Sequence, residues 1–310
     1  MTSGRKPEPD AVPVPVSGQE PTPPGVVVVD KPPGCTSHDV VARLRRLART
    51  RKVGHAGTLD PMATGVLVVG VNRATRLLGH LSVTDKGYDA TIRLGESTLT
   101  DDAEGEVLAR ADASGLTDHD VAGAVAALTG RIEQVPSAVS AVKVEGSRSY
   151  ARVRRGESVQ LEARPVEVSV FEVLDTRREG AVVDVDVHVE CSTGTYVRAL
   201  ARDLGAAVAV GGHLTRLRRT RVGGFDLAQA RTLEDLEREL RVVPLTEVAR
   251  QSFPTFAATE EQADRVRHGG ALAGTDLGSA GPVAVLTPEG EFLALYEQRG
   301  DDAVAVAVFV

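Results

Sequence analysis

Along residues 182–190 apolar and polar side chains alternate without a break. Val183, Val185, Val187 and Val189 fall on one side, with Asp184, Asp186, His188 and Glu190 on the other. A period of two predicts a strand with one buried and one solvated face. Residues 166–173 repeat the pattern, and residues 88–94 do so with Tyr88, Ala90, Ile92 and Leu94 on one side. Residues 214–222 (LTRLRRTRV) alternate basic with apolar residues, which predicts a strand with an arginine-rich face. Strands of this kind suit antiparallel pairing. Residues 25–30 (GVVVVD) and 66–69 (VLVV) are instead continuously apolar, rich in β-branched residues and bounded by turn residues, and predict short buried strands.

Helical spacing appears where Val40, Val41, Leu44 and Leu47 share one face, with Thr36 or Ser37 as cap and Asp39 in the first turn. Val197, Leu200, Ala201 and Leu204 make a second stripe, with Thr195 as its expected cap. Residues 118–128, 232–240 and 259–267 read as further helices, and residues 72–80 as a short helix or turn. Beyond residue 248 the character changes to glycine-separated strands at 283–286, 292–296 and 304–310. The expected division is a proline-rich disordered tail over 1–24, a main domain over 25–249, and a small β-rich domain over 250–310.

At 310 residues the chain can bury a large core. No apolar run approaches the roughly 20 residues of a membrane helix, and the N-terminus lacks the apolar centre of a signal peptide. Cys35 and Cys191 form no CxxC and read as free thiols of a reducing, cytoplasmic compartment. No metal site is expected. The stretch 101–106 (DDAEGE) lacks the spacing of a calcium loop and reads as a solvated turn. The net charge of −7 argues against a polyanionic partner, but its distribution reverses the argument. Residues 25–76 carry nine Lys/Arg against three Asp/Glu, and residues 222–310 carry seven against fifteen. Arg43, Arg45, Arg46, Arg49, Arg51 and Lys52 crowd the first helix and its exit, and a short basic segment at 149–156 reads as a mobile flap.

That basic helix leads into residues 54–70 (GHAGTLDPMATGVLVVG), around which the chain is organised. Asp60 precedes Pro61 and so lies on extended or turn backbone, beside a buried strand. A sheet can present a catalytic acid this way. Asp-Pro also starts ordinary turns, and spacing alone does not separate the two readings.

Four stretches together carry more: the full 54–65 pattern, Lys86-Gly87-Tyr88-Asp89-Ala90, Gly194-Thr195-Tyr196-Val197-Arg198, and Leu217-Arg218-Arg219. With the opening residues 29–37 (VDKPPGCTS), they resemble the TruB-type tRNA pseudouridine synthases over about residues 25–245. The resemblance implies an α/β (α+β) catalytic domain with a central mixed, largely antiparallel sheet and flanking helices, followed by a PUA-like C-terminal domain. Residues 250–310 are acidic and match that last pattern poorly, so their removal is expected to weaken RNA binding modestly at most, with newly exposed apolar surface able to make the shortened chain insoluble. The implied activity is isomerisation of uridine-55 in the TΨC loop of tRNA, by base flipping and covalent catalysis. Asp60 matches the catalytic aspartate, Arg198 the arginine paired with it, and Tyr88 a tyrosine that stacks on uracil and assists at the C5 proton. Tyr196 and the Leu217 backbone match the lining of the uracil pocket. His55 matches a histidine that fills the place the base has left, and Lys31 is structural or phosphate-facing. No cofactor is implied, and the partner is the tRNA T-arm stem-loop, bound by a monomer that needs no protein partner. An RNA chaperone using the same basic face, and a guide-RNA-dependent relative of the same fold, are the alternatives; intact Asp60 and Arg198 speak against the first.

Overall fold

The structure, a computed structural model, describes residues 21–137, 143–144, 147–148 and 161–310. The first twenty residues of the proline-rich tail and the segment expected to form a flap at 149–156 lie outside the described residues.

The alternating and the all-apolar runs meet in one ten-stranded sheet. Its spatial order is Val243–Pro244, Gly25–Lys31, Thr64–Val71, Gly212–Val222, Lys86–Leu94, Val182–Cys191, Arg164–Glu179 and Gly130–Gln134, with two short strands, Val53–Ala56 and Phe225–Asp226, at its side. All pairings are antiparallel except that of Thr64–Val71 with Gly212–Val222. The class is the expected mixed α/β one with a largely antiparallel sheet. Val183, Val185, Val187 and Val189 are fully buried, under the Asp118–Ala127 and Val197–Ala207 helices. Their polar neighbours pair across the other face, where Arg93 donates twice to Asp184 at 2.8 Å.

Local signals set the helix starts. Thr36 caps the Ser37–Leu47 helix: its hydroxyl accepts from Asp39 N–H at 3.1 Å, and the Asp39 carboxylate accepts from Thr36 N–H at 2.8 Å. Thr195, expected to cap the Val197–Ala207 helix, does not. The N-cap is Tyr196, which has no side-chain cap bond; Gln134 Oε1 instead accepts the Tyr196 N–H at 2.8 Å.

Within Gly25–Lys31 and Thr64–Val71, the runs 26–29 and 66–69 are continuously apolar because each is covered on both sides. Val27, Val29, Leu67 and Val69 join the main core with the Ser37–Leu47 helix. Val26, Val28, Val66 and Val68 join a second core with Val248, Ala284, Leu286, Phe292 and Phe309. Ala284, Leu286 and Phe292 come from a four-stranded sheet of Thr255–Ala257, Val283–Leu286, Phe292–Arg299 and Asp302–Val308, and Phe309 follows its last strand. This unit also has a core of its own around Ala263, Val266, Leu293 and Tyr296. Sharing the second core makes the C-terminal unit part of the fold, which favours lost solubility over merely weakened binding as the result of its removal. Deleting residues 253–310 strips cover from four valines at most 3% exposed, so the shortened chain is expected to be insoluble or to melt well below the full chain. A truncated protein that melts as cooperatively and as high would contradict the shared core.

Candidate active site

Asp60 lies on the loop joining Val53–Ala56 to Thr64–Val71, and three buried side chains tie that loop down. Ser37 Oγ accepts from Leu59 N–H at 2.9 Å and donates to Leu59 O at 3.1 Å. Arg219 donates from Nη2 to Gly57 O at 2.9 Å and from Nε to Val66 O at 2.7 Å, bridging the two ends of the loop. Lys31 donates to Pro61 O at 3.2 Å, Cys35 O at 2.7 Å and Pro32 O at 3.0 Å. Lys31 is 0% exposed and has no surface to offer a phosphate or a substrate; of the roles expected for it, the structural one fits the geometry. Gly65 is needed where the loop rejoins the sheet. Its φ is +96°, and a Cβ there would fall 2.2 Å from Arg219 O.

Arg198 grips the Asp60 carboxylate as a fork, Nε to Oδ2 at 3.0 Å and Nη2 to Oδ1 at 3.3 Å. Its Nη1 donates to Thr100 O at 2.9 Å and Ser137 Oγ at 3.3 Å, and lies 3.5 Å from Asp102 Oδ2. Arg198 is itself buried, whereas Asp60 keeps 37% of its side-chain surface open and is reachable. Burial pushes the Asp60 carboxyl above the ordinary carboxylate range; the Arg198 guanidinium opposes that shift and the Asp102 charge adds to it.

Asp60 and Arg198 face an open cleft of about 290 Å³, walled by Tyr88, Leu217, Arg219, Tyr196 and Lys86. Tyr88, Tyr196 and Leu217, separated widely in sequence, are thus brought together beside Asp60. Burial raises the Tyr88 phenol, with Arg219 opposing through charge and a hydrogen bond, so the ring stands neutral near pH 7. His55 stands apart from the cleft walls, edge-on to His38 with ring centroids 5.6 Å apart. Burial, then His38 and Arg219, hold its pKa below the ordinary histidine value, and its buried Nδ1 has no hydrogen-bond partner among the described residues.

The arginine-rich strand differs from expectation. Arg218 pairs with Asp30 at 2.7 Å, Arg221 pairs with Glu190, and Arg219 is 1% exposed inside the site; Arg216 is the exposed member. Two bulges, between Leu214 and Arg216 and between Arg219 and Arg221, shift the phase so that Leu217 and Arg219 both point inward. The stretch read as a solvated turn also turns inward: Asp101 and Asp102 are buried, and Asp102 faces Arg198. Arg46, Arg49, Arg51 and Lys52 remain an exposed basic group, as expected of the first helix and its exit. Among the described residues no group of three or more His, Cys, Asp or Glu could hold a metal, and no helix is long and apolar enough to cross a membrane.

Comparison with known proteins bears on this site directly. Residues 45–197 match the N-terminal domain of the TruB family pseudouridylate synthases, residues 198–247 the tRNA pseudouridylate synthase B C-terminal domain, and residues 253–310 the C-terminal part of tRNA pseudouridine synthase II. The tRNA pseudouridine synthase B of Streptomyces griseus is 56% identical over 94% of this chain and 99% of its own length. That of Thermobifida fusca is 57% identical over 92% and 98%. Among solved structures, a chain of a Cbf5-Nop10-Gar1 complex superposes with a TM-score of 0.70 at 28% identity, covering 92% of this chain and 85% of its own. A chain of an H/ACA RNP bound to a substrate RNA containing 2'-deoxyuridine gives 0.69 at 27%, with the same coverage. The chain belongs to the TruB family and is a pseudouridine synthase, an isomerase.

Proposed function

We propose that this enzyme converts uridine-55 in the TΨC loop of tRNA to pseudouridine, with the base flipped into the cleft and Asp60 acting as covalent catalyst. The observation that carries the reading is the Arg198 fork on Asp60, set in a cleft beside the Tyr88 ring. The reaction breaks the C1′–N1 bond, turns the uracil over and makes a C1′–C5 bond. One proton leaves C5 and one arrives at N1, so atoms and oxidation state balance without a cofactor. A single oriented carboxylate suits a nucleophile, whereas hydrolysis of a glycosidic bond uses a pair to manage water. Attack at C1′ and attack at C6 both use the Asp60 carboxylate as nucleophile.

A stacked uridine is out of reach and must be extruded at a cost of a few kcal/mol. Stacking on an aromatic ring returns roughly 1–3 kcal/mol per base, the part assigned to Tyr88. His55 is assigned to the gap left in the RNA, and Tyr196 and Leu217 to holding the uracil edge. Phosphate contacts from Arg46, Arg49, Arg51, Lys52 and Arg216 supply the rest. Affinity for a T-arm hairpin is then expected to fall with salt at a log–log slope of roughly −0.7 per phosphate contacted on single-stranded RNA. Affinity unchanged between low and high salt would remove this docking face.

Identity of 55–58% to synthases named for tRNA, against 27–28% to chains of ribonucleoprotein complexes, favours action without guide RNA or protein partner. The test is an unmodified tRNA transcript incubated with this protein alone and mapped for pseudouridine. One modified position, in the TΨC loop, is expected. No conversion until a guide RNA or a second protein is added would establish the other reading.

A further inference from the structure

Lys86 and Arg219 are buried cations side by side in the cleft wall. Lys86 is 7% exposed and opens the Lys86–Leu94 strand, two residues before Tyr88 and so on the same face; Arg219 stands opposite Tyr88 on the next strand. Lys86 Nζ donates to Ser82 O at 3.0 Å and Thr84 O at 2.7 Å. An ammonium has three protons, and the third has no acceptor among the described residues. Nor, among those residues, does any carboxylate come within ion-pair distance of Lys86, although it borders the cleft. Burial, reinforced by the Arg219 charge, pulls the Lys86 ammonium down to about 8. The other groups facing it are Cys191, on Val182–Cys191, and Asp85, beside it in the chain; burial pushes the Cys191 thiol up to about 11, so it stays neutral near pH 7. A cation desolvated beside another cation is unfavourable unless something anionic arrives.

The proposed chemistry supplies such a charge. When C1′–N1 breaks, the bonding pair stays with the base and spreads onto its carbonyl oxygens. When Asp60 adds at C6, the displaced pair moves through C5 onto O4. Both routes build negative charge on a uracil oxygen. We propose that Lys86 is a catalytic residue whose third ammonium proton holds a carbonyl oxygen of the flipped uracil as that charge develops. The inference rests on the reading that the cleft takes the target uridine.

The test pairs Lys86→Met with wild type in single-turnover pseudouridine formation and in RNA-binding titrations on a T-arm hairpin, each across pH. Losing a donor to a developing oxyanion is expected to slow turnover by about 10²-fold or more, while affinity changes less than about tenfold. Wild-type rate is expected to turn down above about pH 8 as Lys86 loses its proton, and the downturn to vanish in Lys86→Met. If Lys86 only capped the Ser82 and Thr84 carbonyls, the substitution would lower the melting temperature and the wild-type rate would run flat through pH 8. Turnover within about threefold of wild type, or a downturn that persists in Lys86→Met, would overturn the inference. Should that variant fail to fold, the wild-type profile decides, and a flat profile overturns it. An inactive wild-type protein would overturn the proposed function and the inference with it.

Discussion

An Arg198→Met protein is expected to form pseudouridine roughly 10²–10³-fold more slowly at neutral pH, and to regain part of that rate as the pH is raised. Arg198 is the cation that opposes the upward shift of the Asp60 pKa. Without it, the Lys31 charge is what still opposes burial and the neighbouring Asp102, and the Asp60 pKa climbs further. A protonated carboxyl is not a nucleophile, so activity is present only as pH rises through that higher pKa. The acid limb of the rate–pH profile should therefore move upward relative to wild type. Stability should fall too. Removing one partner of a buried ion pair costs about 3–5 kcal/mol because it strands the other charge, here with Asp102 only 3% exposed, and Thr100 O keeps the Ser137 hydroxyl but loses its Arg198 donor. Single-turnover rates across pH, beside chemical denaturation, read both effects. An acid limb that does not move would show that Arg198 does not set the ionisation of Asp60.

Much of the frame was legible in the sequence because it rests on periodicity. The valines at 183, 185, 187 and 189 alternate because one side of their strand meets helices and the other meets water. The all-apolar runs at 26–29 and 66–69 are buried on two sides, yet nothing in them says that residues 284–309 supply the second cover. A run of valines records that it is covered, not by what. Asp60 and Arg198, far apart in the chain, could be paired on the page only through the resemblance, and the fold places them 3.0 Å apart. Arg219 escaped because two bulges break the phase of its strand, so an arginine read onto the strand's arginine-rich face became the tether of the Asp60 loop. Asp102 escaped because its neighbours are turn-like; inside, its carboxylate accepts from Thr100 Oγ1 and Glu104 N–H and faces the buried Arg198 guanidinium. For Lys31 the sequence left a structural and a phosphate-facing role open, and three backbone carbonyls draw its ammonium inside.

Asp60→Asn bears on the centre of the account. The amide keeps the size and shape of the carboxylate but has no negative charge and almost no nucleophilicity. RNA binding is assigned to the exposed basic group, His55 and Tyr88, so recognition and chemistry should separate. Loss of a covalent nucleophile costs at least roughly 10⁴-fold in rate. One altered pocket contact is allowed about 1.4 kcal/mol, or tenfold in affinity. Arg198 would keep Thr100 O, Ser137 and Asp102 as partners, so the variant should remain folded with some loss of stability. The most direct measurement is single-turnover pseudouridine formation on a T-arm hairpin by Asp60→Asn, with a binding titration on the same RNA. The account predicts turnover at least about 10⁴-fold below wild type with affinity within about tenfold; turnover near wild type, or a folded variant that no longer binds the RNA, would contradict it.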